Sequence, residues 1–392
     1  MTVNVSWISQ INVFINTSLL QAPTFNTCMI VGVFPAASLP TSWAGAVTKT
    51  YSDSASIIAD FQPKITGTAL QDNRYQWLIN KSIAFFSQRP SPTQLILGQM
   101  EPTATPVDAM TAWVNSNNSF FAFTVADPIT AASVTAVTGW RTAVEGQVAV
   151  GNIKYMFQDT ADTAIAATVQ AANGSDYITF FYHSQNFTPI AGGTTAPYSY
   201  AAGLMGAYFT TLFTSGIGLK PISGQQIVGL VGDSTITTAN IGIPGQVSGL
   251  INTGNNVFPA FGNTGLALAQ YGYASSSKPA SQRYVHEIIG AAYIQLAVQA
   301  DLFNLIVQQQ PTGGVPYDDN GIQLLLNTFY GSLQKGVTQK IIQQFKNSDI
   351  TYKPLKDVSL ANQANKIYND LTANLKFLGR IQRVAVNLFI NI

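Results

Sequence analysis

The stretch Val384-Ala385-Val386-Asn387-Leu388-Phe389-Ile390-Asn391-Ile392, at the end of the chain, decides how the sequence is interpreted. Large apolar side chains occupy every second position from Val384 to Ile392. A period of two is typical of a β-strand that buries one face. A strand at this place has no following element to cover it, so we expect it to join a sheet of its own or another subunit.

The first residues of the chain show a similar pattern, because Val3, Val5 and Trp7 alternate with polar side chains. We therefore predict an extended arm over residues 1–26 and an exchanged strand over residues 379–392. Strand addition between subunits satisfies backbone groups that an extended segment otherwise leaves open. The residues predicted to make these inter-subunit pairings are Val3, Val5, Trp7, Val384, Val386, Leu388 and Ile390.

Charged residues are scarce. They form 9% of the 392 residues, against roughly 25% in a typical soluble domain, and 19 basic residues nearly balance 18 acidic ones. The polar surface must therefore come from Asn, Gln, Ser and Thr, which tolerate burial against other protein. This composition favours an assembly subunit over a secreted domain of similar composition, which stays an alternative. The length indicates two or three domains.

The sequence shows no motif of a catalytic or metal site. Cys28, the only cysteine, lies in an apolar strand pattern and is predicted to be a buried small hydrophobe. The two histidines, His183 and His286, form no zinc-ligand cluster with it. Asp318 to Asn320 lack calcium-loop spacing and are expected to cap a helix instead. We predict that the protein is not an enzyme and uses no cofactor and no metal.

The N-terminus does not have the features of a signal peptide, and no run of about 18 apolar residues indicates a membrane span. We therefore expect the chain to fold in a cytoplasm, with no membrane partner. Between residues 335 and 383 the sequence has nine basic and three acidic residues. This excess is consistent with a solvated face or with a docking surface for an acidic partner. It has no aromatic interleaving, so we predict no nucleic-acid partner.

Strands alternate with helices through most of the chain, which predicts an α/β fold with a largely parallel sheet. The predicted fold class is α/β: a mixed sheet core flanked by helices, with extended terminal β-arms and an inserted outer domain. The predicted strands cover residues 29–34, 95–97, 120–125, 153–157, 177–182 and 227–230. The predicted helices cover residues 54–61, 73–88, 130–145, 161–172, 198–213, 283–309, 321–336 and 337–347.

The predicted organisation has six segments. The middle ones are a first α/β part, an α/β domain, a Gly-rich β-rich segment and a helical part that faces inward. Their boundaries, with the two terminal arms, are 1–26, 27–100, 101–213, 214–280, 281–378 and 379–392.

Several motifs, in this order along the chain, carry a family resemblance. They lie at residues 3–8, 29–32, 85–98, 180–183 and 200–203, and the best is Val315-Pro316-Tyr317-Asp318-Asp319-Asn320-Gly321-Ile322 after the helix at 303–306. Together with the arm from Gly379 they resemble the contractile tail sheath subunits of long-tailed bacteriophages. The resemblance weakens over residues 102–175 and 214–280.

This resemblance implies a homo-oligomer of six-fold rings, stacked helically around a tail tube and joined by exchanged arms. It implies contraction by rigid-body rotation, which drives the tube through the host envelope for DNA delivery without nucleotide consumption. The expected partners are other copies, the tail tube protein, and baseplate and tail terminator proteins. The expected location is a virion tail assembled in the host cytoplasm. Lys335, Lys340, Lys346 and Lys366 are candidate tube contacts.

Three other functions stay open from the sequence. The first is the sheath of a phage-derived bacteriocin or secretion-type injection machine, which the same motifs fit. The second is a carbohydrate-binding or hydrolytic surface protein, which the Gly, Asn, Thr and Tyr content permits but which predicts a carboxylate pair in an aromatic cleft. The third is a tail tube subunit, which the several predicted helices disfavour.

Overall fold

The computed structural model describes residues 25–66, 70–127, 134–160, 175–182, 199–213, 219–222, 225–231, 256–257, 260–261, 266–268, 284–366, 368 and 370–378. The predicted arm over residues 1–26, apart from its last two residues, and the predicted strand over residues 379–392 lie outside these ranges. The helix predicted at 161–172 and His183 lie outside them as well. The described residues divide into two compact units, with the boundary between residues 292 and 293, and the predicted six-segment division stays a prediction.

The first unit is built on a seven-stranded mixed sheet. Its strand order is β2-β3-β1-β4-β5-β6-β8. All neighbouring pairs are parallel except β2 with β3. The strands are β1 (Cys28–Val33), β2 (Thr48–Tyr51), β3 (Leu95–Met100), β4 (Ala122–Val125), β5 (Tyr155–Thr160), β6 (Ile178–Tyr182) and β8 (Asn256–Val257).

Helices cover both faces of this sheet, which explains why its strands are apolar on both sides. The helices are α1 (Ser54–Phe61), α2 (Leu70–Phe86), α3 (Pro106–Ser116), α4 (Val134–Ala149) and α5 (Tyr200–Phe209). Trp113 of α3 stacks on Trp140 of α4 with ring centroids 5.7 Å apart, and both contact Phe123. On the other face Phe209 of α5 lies against Phe157 and Phe121.

The remaining elements are short strands and the helices of the second unit. β7 (Gln226–Val231), β10 (Leu266–Leu268) and β9 (Ala260–Phe261) form a small antiparallel sheet in that order. Helix α6 (Val285–Gln309) spans the boundary between the units, and α7 (Asp319–Thr338), β11 (Ile350–Thr351), α8 (Leu360–Ala364) and β12 (Thr372–Ala373) follow. By length and composition the segment Val285–Thr312 is apolar enough to cross a membrane, a test that buried core helices also pass.

The predicted fold class is confirmed for the mixed sheet and its flanking helices. The helix predicted over residues 54–61 is confirmed as α1, and Asp53 caps it, since its Oδ1 accepts from the backbone N–H of Ser56 at 2.8 Å. The helix predicted over residues 337–347 is wrong: α7 ends at Thr338, and Lys340 has the left-handed φ of 55°. Helix α3, with Thr105 as its cap, was missed.

Candidate inter-subunit surface

The candidate surface belongs to the second unit, and two helices form its base. Ser332 and Lys335 of α7 both bond to Asp301 of α6, at 2.6 and 2.7 Å. Gly336 permits the close approach of the two helices, because an added Cβ would lie 3.2 Å from Ile294. These contacts hold α7 on α6 and thereby position the segment that leads from α7 to β11.

The sequence motif with the best resemblance, residues 315–322, forms a tight turn into α7. Asp318 caps this helix as predicted, since its Oδ1 accepts from the backbone N–H of Gly321 at 2.8 Å. Gly321 is required here, because an added Cβ would lie 1.8 Å from the carbonyl oxygen of Pro316. The turn thus places Tyr317 and Asp319 at the start of α7, where both contact a later loop.

Residues 341–351 and 372–378 pair antiparallel, and we call this pair of segments the ribbon. It contains β11 with β12, a bridge between Ile342 and Phe377, and a bond from the backbone N–H of Leu378 to the oxygen of Ile341 at 2.8 Å. Among the described residues its sheet has two strands, so each strand has one side without a described strand partner. Residue 378 is the last residue of the ribbon that the structure describes, and the predicted exchanged strand follows it in sequence.

Residues 352–371 connect the two strands of the ribbon, and we call them the braced loop. Lys353 Nζ lies 2.7 Å from Asp370 Oδ1, and the Tyr368 hydroxyl donates to the carbonyl oxygen of Lys353 at 2.9 Å. Asp319 of α7 accepts from the backbone N–H of Leu355 at 2.9 Å. These bonds tie the ends of the loop to each other and its first turn to α7.

Two further side chains brace the middle of this loop. Gln363 donates to the carbonyl oxygens of Leu355 and Val358, at 3.0 and 2.8 Å. The Tyr317 hydroxyl donates to the carbonyl oxygen of Asn362 at 3.3 Å. The loop is therefore held across its width as well as at its base.

The four lysines predicted to contact a tube lie on three segments of this unit. Lys335 is on α7 and is 52% exposed despite its bond to Asp301. Lys340 and Lys346 are exposed in the segment between α7 and β11. Lys366 is exposed in the braced loop, with its Nζ 5.2 Å from the centroid of the Tyr317 ring.

Three aspartates that precede residue 335 in the same unit, Asp301, Asp318 and Asp319, partly balance the basic excess of residues 335–383. Residues 293–378 contain seven lysines and six aspartates, with no other charged side chain. Five of the aspartates accept internal hydrogen bonds: Asp301, Asp318, Asp319, Asp349 and Asp370. Three exposed lysines, Lys346, Lys356 and Lys376, have no carboxylate within ion-pair distance in the described part of this unit. The surface is thus locally basic although the unit is nearly neutral.

A buried charge network in the first unit was missed by the sequence analysis. Lys81 of α2 lies 3.0 Å from Asp159 at the end of β5, and both are fully buried. Burial lowers the pKa of Lys81 and raises that of Asp159, and their pairing opposes both shifts. Arg74 on the same helix lies 2.7 Å from Asp127, whose pKa burial raises to about 6.

This network lies at the carboxyl ends of parallel strands, where open α/β sheets often bind ligands. Here α2 supplies a cation to each carboxylate, which is an arrangement typical of a structural ion-pair network. Lys154 at the start of β5 is also buried, and burial lowers its pKa to about 7. It donates to the carbonyl oxygens of Asn118 and Phe120. These groups hold strands and helices together.

The predicted buried cysteine is confirmed, since Cys28 has no exposed surface, and burial raises the pKa of its thiol. His286 is buried on α6, with its ring centroid 5.3 Å from that of Tyr284. The described residues contain no group of three or more His, Cys, Asp or Glu side chains able to hold a metal ion.

No protein-family model and no curated protein sequence matches this chain. Solved structures do match. One is a chain in the cryo-EM structure of an anti-feeding prophage baseplate, symmetrised six-fold, with a TM-score of 0.64, 13% identity and 94% of each chain covered. Another is a sheath tail protein from Listeria innocua, with a TM-score of 0.54, 10% identity, and 90% of this chain and 95% of that chain covered.

Both matches extend over nearly the whole chain, so the similarity includes both units. The chain therefore has the fold of a sheath tail protein. The resemblance predicted from the sequence motifs is confirmed at the level of the fold.

Proposed function

We propose that this chain, which has the fold of a sheath tail protein, is the repeating structural subunit of a contractile tail sheath. Copies stack as hexameric rings around a tail tube, and their terminal arms join neighbouring subunits. Contraction is a rotation of whole subunits that keeps these joints and drives the tube through an envelope. Free energy comes from new contacts between many copies, so the subunit needs no nucleotide, cofactor or metal.

One observation carries this proposal: the ribbon stands directly before a segment with the pattern of a strand. Large apolar side chains occupy every second position from residue 384 to residue 392, and residue 378 is the last paired residue of the ribbon among those that the structure describes. A strand that leaves one ribbon and adds alongside another makes main-chain hydrogen bonds at each step. Repeated from copy to copy, this pairing yields a polymer rather than a closed dimer.

Contacts with the tube come from the exposed lysines of the second unit in this proposal. Lys335, Lys340, Lys346 and Lys366 are spread over three segments, so a tube would meet them as several weak contacts. Exposed ion pairs contribute about 0.2–1 kcal/mol each. Many copies together hold the tube through such contacts, and each contact is weak enough for rotation of the subunit to break it. An acidic tube surface is the partner that such cations fit. Baseplate and tail terminator proteins would cover the two ends of the polymer.

A second candidate is the sheath of a prophage-derived injection machine, assembled in the cytoplasm of the bacterium that encodes it. The similarity to a chain of an anti-feeding prophage baseplate favours it over a carbohydrate-binding protein. A virion sheath and a machine sheath require the same subunit chemistry. They differ in the object that the tube delivers, which for a virion is DNA.

Electron microscopy of the purified full-length chain tests the proposal. We expect long hollow tubes at high concentration, and a truncation that lacks residues 381–392 should stay a folded monomer. Circular dichroism of the truncated chain checks that the described fold persists. A full-length chain that stays monodisperse and monomeric at high concentration contradicts the proposed function. A truncation that still polymerises contradicts exchange of the last strand.

A further inference from the structure

The braced loop is long for the connection between two antiparallel strands. It spans residues 352–371 between β11 and β12, whereas hairpin loops usually have about 2–5 residues. Loops longer than about 12–15 residues in compact domains are usually functional or disordered. The hydrogen bonds described above hold the described residues of this loop within the subunit. The conformational entropy of the loop is therefore lost on folding and not on binding a partner.

Leu360, at the start of α8 in this loop, is the most exposed large apolar residue among those that the structure describes. Its side chain is 83% exposed, whereas the next, Val150, is 52% exposed. Val358, two residues earlier, is buried, and Ser359 between them caps α8 by accepting from the backbone N–H of Asn362 at 3.3 Å. Single exposed leucines are ordinary on flexible surfaces. Here the two preceding residues, Val358 and Ser359, are fixed by burial and by the helix cap, so the Leu360 side chain is held outward.

The charges of the loop nearly cancel. Lys353 and Asp370 pair with each other, Lys356 is followed by Asp357, and Lys366 lies near the Tyr317 ring. Apart from Lys366, a candidate tube contact, this surface offers a strongly acidic partner less than the lysines elsewhere in the unit. An apolar contact with a weakly charged surface fits better. A second copy of this chain offers such a surface, because charged residues form only 9% of its sequence.

We propose that the braced loop is an inter-subunit contact in which Leu360 packs into an apolar site on a second copy of this chain. The inference rests on the proposed function, because the loop begins and ends in the ribbon that is proposed to receive the neighbour's strand. A neighbour paired with the ribbon is therefore the copy that lies beside the loop. A side chain fixed in advance binds at a lower entropy cost than a flexible one.

Site-directed photo-crosslinking tests this contact. Cys28, the only natural cysteine, is buried, so a Leu360→Cys variant takes a benzophenone maleimide at residue 360 alone. Irradiation of assembled tubes should give covalent dimers and higher ladders. The matched control is Val150→Cys, labelled in the same way at the next most exposed apolar position. Ladders from residue 360 that exceed those from residue 150 support the contact, and equal yields or none from residue 360 overturn it.

Two substitutions measure how much the contact contributes. Leu360→Asp should raise the critical concentration for tube formation about ten- to a hundredfold, with unchanged circular dichroism of the monomer. Tyr368→Phe, which removes a brace and leaves Leu360 in place, should raise it by a smaller factor. If wild-type tubes form and a Leu360→Asp chain assembles at the same concentration, the contact is overturned and the proposed function stands. Absence of wild-type tubes is the separate failure of the proposed function.

Discussion

Replacement of Asp127 by Asn tests the energetics of the buried charge network in the first unit. Asp127 follows β4 and pairs with Arg74 of α2 at 2.7 Å, and Lys81 of the same helix also acts on it. The side chain retains 20% exposure, so burial removes most of its hydration. Burial raises the pKa of Asp127 from 3.8 to about 6, because Arg74 and Lys81 together lower it by less than burial raises it.

The sign of the effect follows from linkage. Because the pKa is higher in the folded state, Asp127 contributes stability that is fully present below pH 3.8 and is lost as the pH rises through about 6. A shift of about two pKa units at 1.36 kcal/mol per unit corresponds to about 3 kcal/mol. The side-chain amide that the substitution introduces resembles the neutral carboxyl group, so Asp127→Asn should stabilise the unit by about 1–3 kcal/mol at pH 8, by about a third of that at pH 4.5, and have little effect below pH 3.8.

Urea unfolding followed by tryptophan fluorescence provides the assay. Four of the five tryptophans, Trp43, Trp77, Trp113 and Trp140, belong to the first unit, so the signal reports mainly on that unit. The matched control is Asp60→Asn in the same unit.

Burial raises the pKa of Asp60, but hydrogen bonds from Tyr51, Lys49 and Ser42 outweigh it, so the pKa is lowered overall. Its contribution to stability is present above pH 3.8 and is lost as the pH falls. Asp60→Asn should therefore destabilise the unit at pH 8, opposite in sign to Asp127→Asn. If Asp127→Asn lowers the stability at pH 8, or leaves the pH profile between 4 and 7 unchanged, the account of this network is wrong.

Three more outcomes are expected. Gly321→Ala should cost about 2–3 kcal/mol in thermal unfolding, because its Cβ meets the carbonyl oxygen of Pro316, whereas Gly331→Ala, in open space on α7, should stabilise by about 1 kcal/mol. Lys154→Met should remove a rise in stability between pH 7 and 10.5, since the lowered pKa makes Lys154 contribute stability at high pH that is lost as the pH falls through about 7. Lys335→Ala should cost less than about 1 kcal/mol by calorimetry, because its ion pair is exposed.

Local signals predicted much of the first unit. The apolar run that begins at Cys28 forms β1. This strand lies inside the sheet between β3 and β4, as its apolar composition indicated. The cap at Asp318 was predicted because a carboxylate before a helix satisfies its first N–H groups. These features depend on a few neighbouring residues, and the sequence shows them directly.

Features that depend on distant residues were not predictable in the same way. Lys81 is on the buried face of α2 with Leu78 and Phe85, three and four residues away, and that spacing was the one signal that it is buried. Its partner is on β5, and no local pattern gives that pairing. Residues 341–347 were assigned to a helix because their apolar positions fit that period, but Ile342 pairs with Phe377 instead.

The predicted tube contacts illustrate the same limit. Charge counting along the chain indicated a basic tail, yet Asp301 binds Lys335 from the preceding helix. The length of the braced loop was likewise hidden, because β11 and β12 have two residues each and their partners are far apart in sequence. The predicted terminal arms lie outside the described residues and stay predictions.

A cryo-EM reconstruction of the tubes formed by the full-length chain would test strand exchange most directly. We expect residues 384–392 of each subunit to lie as a strand along the ribbon of an adjacent copy, with alternate side chains buried between the two. A reconstruction in which those residues fold back onto their own subunit, while the tube stays intact, would contradict the account.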